Sequence, residues 1–173
     1  MTDETEFWQL IDDTREAAQG DPVEQADLLV ERLVGLSPDE VIDFARLFEA
    51  RLARAYRWDL WGAADLLLGG AGDDAFDYFC CWLIGQGREV FEGALAEPDD
   101  LAELVADFDE DVDGDAEELG DAADRAHEQL TGMPLPETGL PSRAAEPAGR
   151  VIDFDDARIM EERFPRLWER YGS

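Results

Sequence analysis

Apolar residues recur along the chain three or four positions apart, and no run of alternating apolar and polar residues is long enough to predict a strand. The clearest helix start is "SPDE", where Ser37 is an N-cap, Pro38 takes the first helical position and Glu40 completes a capping box. The helix that follows has an apolar stripe made of Val41, Ala45, Phe48, Leu52 and Ala55. The pattern predicts an all-α fold.

The same periodicity predicts helices on both sides of this one. Two precede it, at residues 4–18 and 22–35, with the turn "QGDP" between them. A short apolar segment at 59–68, a helix at 73–87 and the helix "REVFEGALAE" follow it, and Pro98 restarts the chain as "PDDLAELVADF". Because the 73–87 segment is apolar on both faces, we expect it to be the central helix.

The composition changes in the C-terminal third, where residues 97–128 hold 15 of the 44 acidic residues and one arginine. Helical spacing persists at 115–131, which we expect to form a solvated helix. We expect a compact single-domain multi-helix fold with a partly irregular acidic C-terminal third. Its parts would be a helical core domain at 1–131, a Pro/Gly-rich connector at 132–150 and a C-terminal helical segment at 151–173. The apolar residues that would dock this last segment on the core are Phe154, Ile159, Leu167, Trp168 and Tyr171.

The formal net charge of −30 limits the partners that the protein can have. All 14 basic residues are arginine, and the chain contains neither lysine nor asparagine. A saline environment and a GC-rich genome both produce this bias, and the sequence does not separate them from a functional cause. A surface this anionic repels phosphate backbones and anionic lipid headgroups, so we expect no nucleic-acid or membrane binding. A basic protein is the partner that the charge favours.

The chain has no stretch near the roughly 18 consecutive apolar residues of a membrane span. Its first ten residues, "MTDETEFWQL", are acidic where a signal peptide would be basic, so we expect a cytoplasmic protein. Cys80 and Cys81 are adjacent and cannot join distant parts of the chain to each other. We expect both to be reduced thiols that pack in the core.

The segment "DFDEDVDGDAEEL" resembles the first half of a calcium-binding loop. Asp109, Asp111 and Asp113 occupy the first, third and fifth positions, and Gly114 follows where such a loop turns sharply. The twelfth position, where a bidentate glutamate belongs, is Gly120. We therefore predict a solvated acidic loop and no metal site.

The sequence offers little support for a histidine metal site, a phosphate-binding loop or a cysteine nucleophile. His127, the one histidine, has Asp124 three residues before it but no second matching motif, so we expect it to be a surface residue. The glycine-rich "GGAG" could cradle a phosphate, but Asp73, Asp74 and Asp77 follow it and no lysine is present, which favours an interhelical turn. Neither cysteine has a basic partner in sequence. The sequence predicts no catalytic residue and no cofactor, and it favours a protein that is not an enzyme.

One constellation remains as a candidate ligand site. Three arginines at a spacing of three form a narrow basic strip, two tryptophans follow, and three aspartates begin the helix after next. The arginines would either form internal ion pairs with those aspartates or line a cleft for an anionic group with aromatic walls. The set comprises Arg51, Arg54, Arg57, Trp58, Trp61, Asp73, Asp74 and Asp77.

The stretch "AYRWDLWGAADLLLGGAGDDAFDYFCCWLIGQG" resembles the bacterial domain-of-unknown-function family 4240. That family's pattern runs Trp-x-Leu-Trp-Gly-Ala-Ala, then Gly-Gly-x-Ser-Asp-Asp-x-Phe-x-x-Phe-Arg-x-Trp-Leu-Ile-x-x-Gly. The segments "FWQLID", "LTGMPLP" and "RFPRLWERYG" are also similar to family features, so the resemblance covers nearly the whole chain. The family has no established activity, so the resemblance implies no site residues. Gly72 stands where the pattern has serine and Cys80 where it has arginine, which counts against catalysis.

Two function hypotheses follow. The leading one is a non-catalytic cytosolic interaction or regulatory protein that presents its acidic surface, chiefly residues 97–128, to a basic protein partner, for example in an antitoxin-like or immunity-like role. The alternative is an enzyme or small-ligand binder that uses the Arg/Trp/Asp cleft around residues 51–77. Convergence of those groups on an open pocket would favour the alternative, and pairing among themselves would favour the first.

Overall fold

Helices make up the regular structure of residues 2–140 and 144–172, which are the residues that the computed structural model describes. The α-helices are α1 (Glu4–Ala17), α2 (Pro22–Val34), α3 (Pro38–Ala55), α4 (Trp58–Leu68), α5 (Asp73–Gly85), α6 (Arg88–Ala96), α7 (Leu101–Leu104), α8 (Glu117–Gly120), α9 (Ala122–Thr131), α10 (Ala157–Arg163) and α11 (Pro165–Tyr171). A 3₁₀ turn, Pro98–Asp100, precedes α7. Within these ranges the chain forms no strand, and the all-α prediction is confirmed.

The capping box that the sequence predicts is present at the start of α3. The Glu40 N–H donates to the Ser37 hydroxyl at 3.2 Å, and the Glu40 carboxylate accepts the Ser37 N–H at 3.4 Å. At the start of α2, the Asp21 carboxylate accepts the N–H groups of Val23 and Glu24. Each cap satisfies amides that the helix itself leaves without acceptors, so these helices begin where their sequences indicate.

Helix α5 lies at the centre of the core, as predicted. It packs against α1, α3, α4, α6 and α8, and eight of its thirteen residues are buried. Phe79, Leu83 and Ile84 have no exposed surface. Burying a side chain of this size contributes about 1.5–3 kcal/mol. The apolar residues on both faces of the segment therefore reflect neighbours on both sides.

The acidic segment at 115–131 differs from the single solvated helix that the sequence predicts. It forms two helices, α8 and α9, with a break at Asp121. Both pack against α2, and α9 also packs against α3, with Ala122 and Ala126 fully buried. The acidic side chains of α8 and α9 face solvent. The helical spacing at 115–131 therefore marks a small apolar face that packs on the core, which the high charge of the segment did not indicate.

His127 lies on this inner face, and the surface position that the sequence suggested for it is wrong. The side chain is 7% exposed, and its Nδ1 lies 3.0 Å from the carbonyl oxygen of Met133. Ala123 is four residues before it on the same buried stripe. The imidazole therefore packs against the turn that follows α9.

The C-terminal segment packs on α4 and on the 3₁₀ turn. It forms two short helices rather than one, because Pro165 has no N–H and starts α11 afresh. The Phe164 ring covers Gly62, where an added Cβ would lie 2.7 Å from the ring. The buried Asp99 carboxylate accepts the N–H groups of Arg166 and Leu167 at 3.1 and 2.9 Å. These contacts attach α11 to the rest of the fold.

Residues 135–140 and 144–148, which we call the strap, cross the surface of α3. The Ala148 N–H donates to the Tyr56 carbonyl at 2.9 Å, and the Trp58 N–H donates to the Ala148 carbonyl at 3.0 Å. At the other end, Arg46 Nε donates to the Thr138 carbonyl at 2.8 Å. The strap lies within the predicted connector, whose residues 141–143 are outside the described ranges.

None of the helices in residues 2–140 and 144–172 combines the length and the apolar composition needed to cross a membrane.

Candidate functional site

The three arginines of the predicted basic strip form ion pairs with acidic residues other than those that the sequence suggested. Arg51 lies 2.9 Å from Glu4, which comes from α1. Arg54 binds Glu92 of α6 through two bonds of 2.7 and 2.8 Å. Arg57 binds Asp59, two residues further along the chain, and also donates to the carbonyl of Leu95 at 2.8 Å. These guanidinium groups join helices to one another.

Arg51 is the most deeply placed of the three, with 8% of its surface exposed. Its guanidinium lies over the rings of Phe7 and Trp8, at 5.2 and 5.6 Å from their centroids, and donates to the carbonyl of Leu47 at 3.2 Å. Contact with two aromatic faces and one carboxylate holds the charge inside the fold. This arginine is part of the core.

The two tryptophans of the predicted site belong to an aromatic stack. Trp61 is stacked between Trp58 and Phe76, at centroid distances of 5.5 and 4.8 Å. Its indole N–H donates to the carbonyl of Ala71 at 2.8 Å, and the Ala71 N–H donates to Asp65 at 2.9 Å. These bonds fix the glycine-rich turn between α4 and α5, which is the interhelical turn that the sequence favours.

The predicted aspartates lie elsewhere. Asp73 and Asp74 are exposed in the first turn of α5, and Asp77, one turn on, is half-buried. Of the eight residues in the predicted ligand site, Asp77 is the one that lines the cleft described next, among the residues that the structure covers. The arginines, the tryptophans and the aspartates thus occupy three separate environments.

A cleft of about 1040 Å³ lies between α3, α5, α8 and the strap, and we call it the acidic cleft. Two tyrosines, Tyr56 and Tyr78, and the two cysteines lie in its walls. No arginine of the described ranges lines it. Its carboxylates come from four parts of the fold and are Glu49, Asp77, Glu117, Asp121 and Glu137.

The carboxylates of the acidic cleft raise the pKa values of two groups beside them. Glu117, helped by burial and by Asp74, raises the pKa of Tyr78 above its ordinary value. Burial raises the pKa of the Cys81 thiol to about 12, and the negative charges of Asp77 and Asp121 act in the same direction. A negative field of this kind disfavours additional anions and stabilises a bound cation. The thiol stays protonated at neutral pH and is a poor nucleophile.

We expect this thiol to make stability fall at alkaline pH. Its pKa is raised from an ordinary value of 9.0 to about 12 on folding, so the folded state holds the proton more tightly. The resulting stabilisation is complete below about pH 9 and is lost as the pH rises toward 12, by up to about 1.4 kcal/mol per pH unit. Urea unfolding between pH 8 and 11 measures this slope.

The matched variant is Cys81→Ala, which removes the titrating group. Its free energy of unfolding is expected to fall less steeply above pH 9 than that of the parent protein, although Tyr78 still contributes in the same direction. Equal slopes for the two proteins would show that the thiol ionises as freely in the folded state as in the unfolded chain.

The calcium-like loop uses its carboxylates to bind its own backbone. Asp109 accepts the N–H of Asp111 at 3.0 Å, and Asp113 accepts the N–H of Asp109 at 3.1 Å. Gly114, with φ at 89°, packs against Leu68 and Phe108. Within residues 2–140 and 144–172, no three His, Cys, Asp or Glu side chains are grouped so as to hold a metal ion.

No sequence motif indicates most of the residues that line the acidic cleft. Glu49, Tyr78 and Glu137 belong to segments that are far apart in the chain, and none of them stands in a motif. Glu117 and Asp121 do fall within the acidic run at 97–128, which is the one feature that pointed to this part of the surface.

Residues 1–129 match the model of a family described as "Protein of unknown function (DUF4240)". The match covers α1 to α8 and most of α9, and it ends before the strap and the C-terminal helices. No curated protein and no solved structure matches the chain.

Proposed function

Because the chain belongs to the DUF4240 family, whose function is unknown, we propose a role from the surface itself: a non-catalytic interaction protein of the cytoplasm that binds a basic protein partner. The observation that carries the proposal is a group of carboxylates at residues 107–121, which we call the acidic face. None of them forms an ion pair within the described ranges. They are Asp107, Asp109, Glu110, Asp111, Asp113, Asp115, Glu117, Glu118 and Asp121.

The acidic face is held on an ordered support. Its irregular part is attached by Phe108, whose ring meets Trp82 edge-on at a centroid distance of 5.3 Å. Its helical part is attached by Ala116 and Leu119, which are almost fully buried under α8. A charged surface fixed in this way loses little conformational entropy when a partner binds. Eight of its nine carboxylates are exposed, and Asp113 is half-buried.

Charge complementarity sets the class of partner. Nine like charges within fifteen residues repel one another, and a basic surface relieves that repulsion as it binds. The nearby acidic cleft extends the same sign of charge inward. A lysine- or arginine-rich protein therefore fits this side of the molecule.

The groups that could serve an enzyme support a non-catalytic role. The Cys81 thiol is protonated at neutral pH, and the His127 ring lies against the Met133 carbonyl. The alternative hypothesis of an Arg/Trp/Asp ligand site stays a prediction. The guanidinium groups that it requires are in ion pairs with Glu4, Glu92 and Asp59.

Partner capture from lysate at about 0.05 M and about 0.5 M NaCl tests the proposal, because screening weakens charge-driven association. Capture is expected at low salt and loss at high salt. The variant Glu110→Gln/Asp111→Asn/Glu118→Gln removes three exposed charges of the acidic face. At roughly 0.5 kcal/mol for each lost contact, it should weaken capture about tenfold.

The matched control is Glu16→Gln/Glu24→Gln/Glu31→Gln, which makes the same change in net charge on exposed positions of α1 and α2. It should retain the partner nearly as well as the parent protein. Equal losses in the two variants, or a capture that salt does not weaken, would contradict a specific role for the acidic face.

A further inference from the structure

We propose that the junction of α1, α3 and α6 binds a small monovalent anion, with chloride as the simplest case, beside the side chains of Trp8 and Arg51. The inference is independent of the proposed function, because it concerns a different group of residues and an anion rather than a basic partner. It rests on two buried donor groups that lack an acceptor and on a local excess of positive charge around them.

Two donors in the interior of this junction have no partner. The indole Nε1 of Trp8 and the Nε of Arg51 are buried and donate to no residue in the described ranges. Trp8 is 4% exposed and Arg51 is 8% exposed, so bulk water does not reach these atoms. Buried donors in folded proteins usually have an acceptor, and neither of these side chains contains one. An acceptor that the chain itself does not supply would satisfy them.

The two side chains are in direct contact within an aromatic setting. The guanidinium carbon of Arg51 lies 5.6 Å from the centroid of the Trp8 ring and 5.2 Å from that of Phe7. Trp8 meets Phe7 edge-on and lies 5.8 Å from Phe91, centroid to centroid. A water molecule beside the two donors would need acceptors for its own hydrogens, which aromatic rings supply poorly, whereas an anion only accepts. The surroundings therefore favour an anion over water.

The other nitrogens of Arg51 hold the guanidinium in place. Its Nη2 lies 2.9 Å from Glu4 Oε1, and its Nη1 donates to the carbonyl of Leu47 at 3.2 Å. The planar group is thus fixed by contacts with α1 and α3, and its Nε–H keeps one direction. A donor that is fixed in advance loses little entropy when it binds an ion.

Positive charge is in local excess around these donors. Glu4 Oε1 lies 2.9 Å from Arg51 and 3.5 Å from Arg88, so two guanidinium groups share one carboxylate oxygen. Arg54 pairs with Glu92 one turn further along α3. Three arginines therefore meet two carboxylates, and we call these five residues the arginine cluster. Such an excess stabilises an anion even though the net charge of the whole chain is −30.

The arginine cluster extends from the solvent to the buried donors. The side chains of Arg54 and Arg88 are 49% and 59% exposed, whereas that of Arg51 is 9% exposed. Hydrogen bonds from Arg54 lower the pKa of Glu92, and the charges of Arg88 and Arg51 act in the same direction. The same positive field attracts an anion from solvent toward the interior of the junction.

Thermal unfolding of the full-length protein in chloride and in gluconate tests the proposal. Both are used as sodium salts at equal ionic strength, so the negative charge of the protein is screened equally and only the size of the anion differs. Because a ligand of the folded state raises Tm, we expect Tm in about 0.5 M NaCl to exceed that in about 0.5 M sodium gluconate by at least about 3 °C. Equal Tm values would assign the two donors to water and overturn the inference.

Trp8→Phe removes the indole N–H and keeps an aromatic ring beside Arg51. The difference in Tm between the two salts, measured within the variant, should fall by at least about half. Trp82→Phe is the matched control, because Trp82 is 3% exposed and its Nε1 also lacks a partner, but no arginine of the described ranges lies over its ring. It should keep the full difference, and an equal loss in the two variants would contradict a site at Trp8.

Arg88→Gln tests the site without changing the core, since this side chain is largely exposed. Chloride NMR gives a direct readout, because the chloride line broadens when the ion exchanges with a protein site. The broadening caused by the parent protein should fall by about half in Arg88→Gln, which removes the excess positive charge. Arg158→Gln makes the same charge change in α10, where the side chain is 86% exposed, and should broaden the line as the parent does. Equal broadening by both variants would overturn the assignment.

Discussion

Replacing Phe164 with alanine is expected to lower the free energy of unfolding by about 3–5 kcal/mol. The ring is 2% exposed and covers Gly62, whose missing side chain leaves the space that the ring occupies. Truncation would leave a cavity between α4 and the C-terminal helices, and the short helices on either side have little means to close it. Urea unfolding followed by far-UV circular dichroism gives the change directly.

The control for this substitution is Val151→Ala in the same segment, where the side chain is 70% exposed and the expected change is within about 0.5 kcal/mol. A loss below about 1 kcal/mol for Phe164→Ala would mean that the C-terminal segment adds little to the folded state. The result is informative because the family match ends at residue 129, so these contacts lie outside it.

Arg51→Ala is expected to lower the free energy of unfolding by about 2–3 kcal/mol. This loss is large for an arginine, because arginine side chains are mostly exposed in folded proteins. The change removes a charge-assisted bond to Glu4, a bond to the Leu47 carbonyl and the contacts with the rings of Phe7 and Trp8. Chemical denaturation at constant salt is the measurement.

Arg54→Ala supplies the comparison from the next turn of the same helix. Its ion pair with Glu92 is bidentate, but about half of the Arg54 side chain is exposed, so the expected loss is about 0.2–1 kcal/mol. Arg51→Met keeps much of the buried stem and should recover part of the loss that alanine causes. Equal effects of Arg51→Ala and Arg54→Ala would contradict the buried role of Arg51.

The helices that the sequence predicts well are those with local signals. The start of α3 follows from Ser37, Pro38 and Glu40, and the central position of α5 follows from apolar residues on both of its faces. The second half of the chain was harder because charge dominated its composition. The helical spacing of Ala122, Ala123 and Ala126 is visible in the sequence, but the carboxylates around them favoured a solvated helix, and His127 was misplaced with it.

The candidate site depends on tertiary contacts that local sequence patterns do not predict. The spacing of Arg51, Arg54 and Arg57 is visible in the sequence, but their partners come from α1, α6 and the start of α4. The acidic cleft depends on residues between 49 and 144 that meet only through the tertiary fold. What the sequence did provide was the sign of the charge, since Glu117 and Asp121 belong to its densest acidic run.

The contact between Asp99 and α11 has a consequence for the order of events during synthesis. The carboxylate emerges from the ribosome well before Arg166 and Leu167, the residues whose amides it binds 67 and 68 positions later. While residues 1–163 are being made, the earlier helices can assemble as they emerge, but α11 does not yet exist. Asp99 therefore stays hydrated until Arg166 and Leu167 have left the ribosome, so its burial is a late step of folding.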